Sequence, residues 1–206
     1  MTLIAHTGAG PGMSVPGAQP DFANEKVFQR NKLPARSYHI PETAISLNGT
    51  WLFHYAASPS LAPAWDDITA QDDFRWQPVT VPGHWQLQGY GRPQYTNIVF
   101  PFSVCPPYAP TDNPTGSYTR KFSIPQSWNS ESQFRLRFEG VDSAFHLFMN
   151  GEEVGYSQGS RNPAEFDVTS LVNRTEENEL LVRVYQWSDG SYIEDQDQWW
   201  LSGEFQ

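Results

Sequence analysis

An all-β fold, a jelly-roll β-sandwich preceded by an extended arm, is what the sequence predicts, and three observations predict it. Short apolar runs with period-two alternation recur from residue 45 onward. The 17 Pro and 15 Gly punctuate the connections between those runs. No stretch repeats apolar residues with the 3.6-residue period of an amphipathic helix.

Residues 1–20 are Gly, Pro, Ala and small polar residues, too poor in apolar content to order themselves, and read as a disordered tail. Residues 21–43 scatter Phe22, Val27, Phe28, Leu33, Tyr38 and Ile40 without a period, with Pro34 and Pro41 breaking any helix, and read as an extended arm laid over another surface. Residues 44–206 then form the sandwich. Trp51, Phe53 and Tyr55 line one face of a first strand. Tyr118, Phe122 and Ile124 share a face in the next, and Phe134, Leu136 and Phe138 alternate with Arg135 and Arg137 in a third. The run 144–149 meets Asn150-Gly151, a type I′ turn signal, and returns through Val154 and Tyr156 as a hairpin. Leu180 to Tyr185 is apolar on both faces apart from Arg183, as a strand covered above and below should be. The long connection 82–117 is placed at one end of the sandwich, where function collects.

Composition excludes several classes. The net charge of −10 offers no clustered Lys and Arg for nucleic acid or an anionic membrane. No run reaches the length of a membrane span and no signal peptide opens the chain, so a cytoplasmic protein is expected. The single cysteine, Cys105, can form no intramolecular disulfide and reads as a buried small hydrophobe. His6, His39, His54, His84 and His146 show no metal-ligand spacing, and His146 reads as a satisfied structural histidine.

The stretch 187–203 is the chemical centre of the sequence. Trp187, Tyr192, Trp199 and Trp200 stand among Asp189, Glu194, Asp195 and Asp197, with no Lys or Arg between them. Aromatic faces beside hydrogen-bonding carboxylates suit a sugar, which offers C–H faces for stacking and hydroxyls around its rim. If 193–198 is extended, Asp195 and Asp197 share a face about 6.5–7 Å apart. Neighbours on one strand cannot flank a scissile bond from opposite sides, so ligand binding or cation coordination fits them better than catalysis. The residues assign no general acid and no nucleophile.

Longer motifs give a resemblance. Val81-Pro82-Gly83-His84-Trp85-Gln86, Pro93-Gln94-Tyr95-Thr96-Asn97, Asn113-Pro114-Thr115-Gly116-Ser117-Tyr118, Phe138-Glu139-Gly140-Val141-Asp142-Ser143-Ala144-Phe145, Gly155-Tyr156-Ser157-Gln158 and the whole of 187–203 stand in an order that resembles the sugar-binding domain of glycoside hydrolase family 2 β-galactosidases. The similarity begins near residue 21 and includes the arm motif from Val27 to Pro34. It implies a galactose-binding-domain-like jelly roll. It also implies that Asn97 reaches into a galactose pocket and hydrogen-bonds the sugar, and that Asp197 contacts galactosyl hydroxyls and ligates a sodium ion. Both roles suit the groups: an amide donates and accepts, and a nearby cation holds a carboxylate ionised.

The same resemblance places the catalytic glutamates and the magnesium ligands in a downstream (β/α)₈ barrel with no counterpart here, so no catalytic residue is assigned. A retaining mechanism needs two carboxyl groups about 5–5.5 Å apart. The expected unit is therefore a jelly roll lacking its last strand, inactive alone, whose partners are a β-galactoside, the remainder of a galactosidase chain or a complementing fragment, and further subunits of a homo-oligomer. Two alternatives stand beside it. One is a free-standing carbohydrate-binding module in which Trp85, Trp187, Trp199 or Trp200 stacks the sugar; the other is an interaction domain without a ligand.

Overall fold

A computed structural model describes residues 2–4, 19–36, 41–64, 75–94, 99–128, 132–194 and 204–205. Asn97, Asp195, Asp197, Trp199 and Trp200 lie outside the described residues.

The strands are β1 (Thr2–Ile4), β2 (Gln29–Arg30), β3 (Ile45–Ser46), β4 (Gly49–Ala56), β5 (Gln77–Val81), β6 (Gly83–His84), β7 (Thr115–Phe122), β8 (Arg135–Phe138), β9 (Ala144–Met149), β10 (Glu152–Gln158), β11 (Ala164–Asp167), β12 (Asn178–Tyr185) and β13 (Glu204–Phe205). One sheet has seven strands in the order β2-β10-β9-β12-β7-β4-β5, and the facing sheet has four in the order β11-β8-β1-β3. A short pair joins β13 to β6. Every described pairing is antiparallel. The protein is thus the expected sandwich of two sheets.

The alternation read from the sequence decides which residues lie between the sheets. Trp51 and Phe53 of β4, Tyr118 of β7, Leu147 of β9 and Leu180, Val182 and Val184 of β12 meet Leu136 and Phe138 of β8 and Phe166 of β11 in one core. Burying each large side chain there stabilises the fold by roughly 2–3 kcal/mol. β12 is central, and its other face is covered as its sequence requires: Leu181 packs with Trp76, and Tyr185 lies under Phe22 and Val27 of the arm. The β9–β10 turn holds Asn150 at φ 51° and Gly151 at φ 87°, the positive values that Asn-Gly was expected to supply. Gly116 on β7 has a different reason. A Cβ there would collide with the rings of Trp85 and Phe53, so only glycine lets Trp85 enter the core.

The arm runs along the edge of both sheets. β2 pairs with β10 through Arg30 and Tyr156, Lys32 bridges to Phe166, and the Leu33 amide donates to the Glu165 carbonyl (2.8 Å). Glu165 also receives Arg36 at 3.1 Å and Arg137 at 3.1 Å. Thr2–Ile4, part of the segment whose composition reads as a disordered tail, form β1 in the smaller sheet. The average over twenty residues hides one Thr-Leu-Ile run with strong strand propensity.

Candidate functional site

The long connection between β6 and β7 and the segment after β12 meet at one end of the sandwich. A 3₁₀ turn, Trp85–Gln88, closes on Gly89 and sends the chain outward. The chain comes back to the sheet at Asn113, whose side chain forms a reciprocal pair with Trp187: Nδ2 donates to the Trp187 carbonyl and Oδ1 accepts its amide, both at 2.8 Å and both buried. This amide clamp fixes the two segments to each other. Tyr192 ties them again, donating its hydroxyl to the Tyr108 carbonyl (2.8 Å) and accepting the Cys105 amide (3.2 Å).

Between the segments is a cleft of about 560 Å³. Its walls include Tyr55, Gln94, Phe102, Tyr108, Asp112 and Trp187. Phe102 packs against Trp187 (5.1 Å between centroids) and Tyr192 (5.9 Å), so the aromatic wall is braced from behind. Burial pushes the Tyr55 phenol up, which keeps it protonated and able to donate. Aromatic rings beside hydroxyl, amide and carboxylate groups make a lining of the kind that suits a neutral polyhydroxyl ligand.

The two described carboxylates that follow β12, Asp189 and Glu194, are engaged within the fold. Ser191–Glu194 form one turn of helix, α1, so the extended strand considered from residue 193 begins instead with Glu194 in a helical turn. Glu194 accepts the Ser160 hydroxyl at 2.5 Å. Burial pushes its carboxyl above the ordinary range, and Asp142 pushes the same way against the Ser160 hydrogen bond. Burial likewise raises Asp189, opposed by the Gly190 amide and the Gln158 side chain. The Asp189 amide donates to the Phe22 carbonyl (2.9 Å), so this loop also carries the arm.

Beside it lies a second polar network. Asp21 accepts Arg30 through Nε at 2.5 Å and its terminal nitrogen at 2.7 Å, and His146 Nε2 lies 3.2 Å away. His146 Nδ1 is 3.0 Å from the Tyr185 hydroxyl. Both ring nitrogens are thereby engaged, the satisfied histidine expected from its strand position.

The sequence-derived site residues divide into three groups. Asn97 and Asp197 lie outside the described residues, although Gln94 and Pro101, on either side of Asn97 in sequence, both line the cleft. Trp187 lines it while only 5 % exposed, which leaves little of its ring open to stack a ligand. Trp85 is 0 % exposed and packs on Phe53 and Tyr55 inside the core, which removes it as a stacking residue. Cys105 is corrected as well: it is exposed on the cleft rim, because its segment is held by a main-chain bond to Tyr192 and buries no side chain there. Phe102, Tyr108 and the Asn113 clamp were missed as site builders, though Asn113 stands in a motif already singled out. Among the described residues no group of three or more His, Cys, Asp or Glu gathers to hold a metal, so the sodium expectation rests on Asp197 alone.

A β-sandwich with an aromatic, polar cleft at its loop end is of the class of carbohydrate-binding jelly rolls. Residues 44–206 match the sugar-binding domain of glycosyl hydrolases family 2, and the chain belongs to that family. It is 44 % identical over 198 residues to a beta-galactosidase of Psychromonas ingrahamii and 45 % identical over 203 residues to one of Alteromonas mediterranea. A beta-galactosidase of Kluyveromyces lactis is 43 % identical over 187 residues. These alignments take in 89–91 % of this chain but only 18–19 % of each relative, so the chain spans about a fifth of their length. Among solved structures, a Bifidobacterium dentium beta-glucuronidase superposes with a TM-score of 0.51 at 24 % identity, covering 68 % of this chain and 19 % of that one. A Faecalibacterium prausnitzii beta-glucuronidase gives 0.51 at 23 %, covering 68 % and 20 %. At those identities the likeness concerns the fold.

Proposed function

We propose that this chain is the N-terminal sugar-binding part of a β-galactosidase, an enzyme that hydrolyses terminal non-reducing β-D-galactose residues of lactose-type substrates. The observation that carries the reading is the 43–45 % identity to proteins called beta-galactosidase across nearly the whole chain. In this reading Asn97 and Asp197 contribute to a galactose pocket completed by a barrel, with Asp197 also holding sodium. The cleft supports it, since Gln94 and Pro101, which flank Asn97 in sequence, line it together with Tyr55, Phe102 and Trp187. The catalytic glutamates and a magnesium ion belong to the barrel, so this chain binds and orients sugar and does not cleave it. Sodium there would supply charge that keeps Asp197 ionised and orders the hydroxyls around it. The complete enzyme is a cytoplasmic homo-oligomer.

The test mixes the purified chain with a separately expressed barrel-containing fragment of a related galactosidase, in sodium and magnesium. Chromogenic β-galactoside and β-glucuronide are assayed against the mixture and each component alone. Cleavage of the galactoside only in the mixture, lost with Asp197→Ala, is the expected result. Cleavage of the glucuronide in its place would move the assignment to the other glycoside, and silence from a bound pair would leave simple sugar binding. The already formed aromatic cleft favours that second reading enough to titrate galactose into the chain alone.

A further inference from the structure

The arm crosses from the larger sheet to the smaller within a few residues, and the crossing leaves a pocket beside it. β2 pairs with β10, Asn31 turns the chain at φ 53° while its side-chain amide donates to the Val154 carbonyl (2.9 Å), and Lys32 then bridges to Phe166 of β11. Arg36 Nε, donating to the Glu165 carboxylate at 3.1 Å, holds the far end of the crossing. Between this stretch and Asn162-Pro163, which lead into β11, is a pocket of about 290 Å³. That is near the small end of the roughly 300–1,000 Å³ typical of ligand pockets, room for one ring-sized body. It shares no lining residue with the cleft.

The lining joins apolar surface to positive charge. Phe28, 54 % exposed, stands with Leu33 and Pro163 on the apolar side. Among the described lining residues the charged ones are Lys32, Arg36 and Arg137 against Glu165. Glu165 is already shared by Arg36 and Arg137 at 3.1 Å each and by Arg135 at 3.5 Å, so its charge is spent. Arg36 uses only Nε on it, which leaves the terminal nitrogens without an acceptor among the described residues. Lys32 has less. Its Nζ lies 5.8 Å from the centroid of the Phe28 ring, and no described carboxylate comes within ion-pair distance of it. Burial pushes this ammonium below the ordinary lysine range with no anion to offset the cost. A neutral sugar would leave that charge uncompensated, whereas a carboxylate supplies both the acceptors and the opposite sign.

We propose that the pocket between the arm and β11 is a second ligand site, separate from the sugar-binding cleft, and that it takes a small organic acid. The carboxylate of that acid neutralises Lys32 and Arg36, and its apolar body lies against Phe28, Leu33 and Pro163.

Benzoate titrated into the isotope-labelled 206-residue chain, followed by amide NMR shifts at about pH 7 where the carboxyl is ionised, tests this. Benzyl alcohol supplies the same ring without the charge, and acetate supplies the charge without the ring, as an acidic side chain would. The expected result is that benzoate moves the amides of residues 28–36 and 162–165 and leaves those of 101–112 in the cleft unmoved. Both control compounds should bind at least about tenfold more weakly, as should benzoate to Lys32→Met and to Arg36→Gln. Lys32→Met keeps the apolar stem and removes a charge without a partner, so its urea midpoint should equal or exceed the parent's. The proposal is overturned if benzoate moves the cleft amides or none at all, if either control binds as well as benzoate, or if both variants bind it as the parent does.

Discussion

Asp21 and Glu194 are both carboxylates drawn out of water near the foot of the arm, and they titrate in opposite directions. Burial pushes Asp21 up, but hydrogen bonds from His146 and Arg30 outweigh it and hold the carboxyl well below the ordinary range. Glu194 has a hydroxyl donor where Asp21 has a guanidinium and an imidazole, and burial prevails. The partner, rather than the depth, decides the sign. Asp21 fastens the arm to β9 by charge. Glu194 closes the loop end with a group that can lose its charge at little cost.

The largest break in that comparison comes from the arm's backbone seat. A side chain at Gly155 would collide with the Arg30 carbonyl oxygen, so Gly155→Val should lift β2 from β10 and cost about 3 kcal/mol in urea unfolding. Proteolysis within 21–36 should quicken in the same variant. Asp21→Ala should cost about 2 kcal/mol. That is below the usual loss for a buried pair because Arg30 keeps 37 % of its side chain in water. Asp21→Asn gives the pH signature. A depressed pKa contributes stability that is complete above the ordinary carboxylate value, about pH 4, and is lost as pH falls through the folded value. The gap between parent and Asp21→Asn should therefore close on acidification below about pH 4.

Phe22→Ala removes the ring stacked on Tyr185 at 4.3 Å and should cost about 1.5 kcal/mol. The smallest effect carries the opposite sign. Glu194 has a raised pKa, so its folded form holds its proton more tightly and its contribution weakens as pH rises through that value. Glu194→Gln keeps an acceptor for Ser160 and should be neutral or up to about 1 kcal/mol stabilising at pH 7, with the parent's advantage returning near pH 4. Equal pH profiles for Asp21→Asn and Glu194→Gln would contradict the contrast between the two carboxylates.

Where one face of a strand meets the core, the side-chain alternation was readable. The faces of β4, β8 and β12, the Asn150-Gly151 turn and the quiet role of His146 followed from period two and turn chemistry. The cleft was only half readable. Trp85 had the residue type of a sugar platform, but the space left by Gly116 draws it into the core. Cys105 had the residue type of a core filler, but its loop turns it to solvent. No local pattern distinguishes an aromatic that stacks a ligand from one that stacks Phe53, because both outcomes reward the same ring.

The sequence by itself determined the sandwich, through alternation that only two packed sheets can satisfy, and the family, through ordered motifs along residues 21–206. The tertiary structure alone decided that Asn113 clamps Trp187 across 74 residues, that Asp21 meets His146, and that Thr2–Ile4 sit between β8 and β3. Those contacts join segments far apart in the chain, and their partners are selected by distance and desolvation in the folded protein, which residue spacing does not encode.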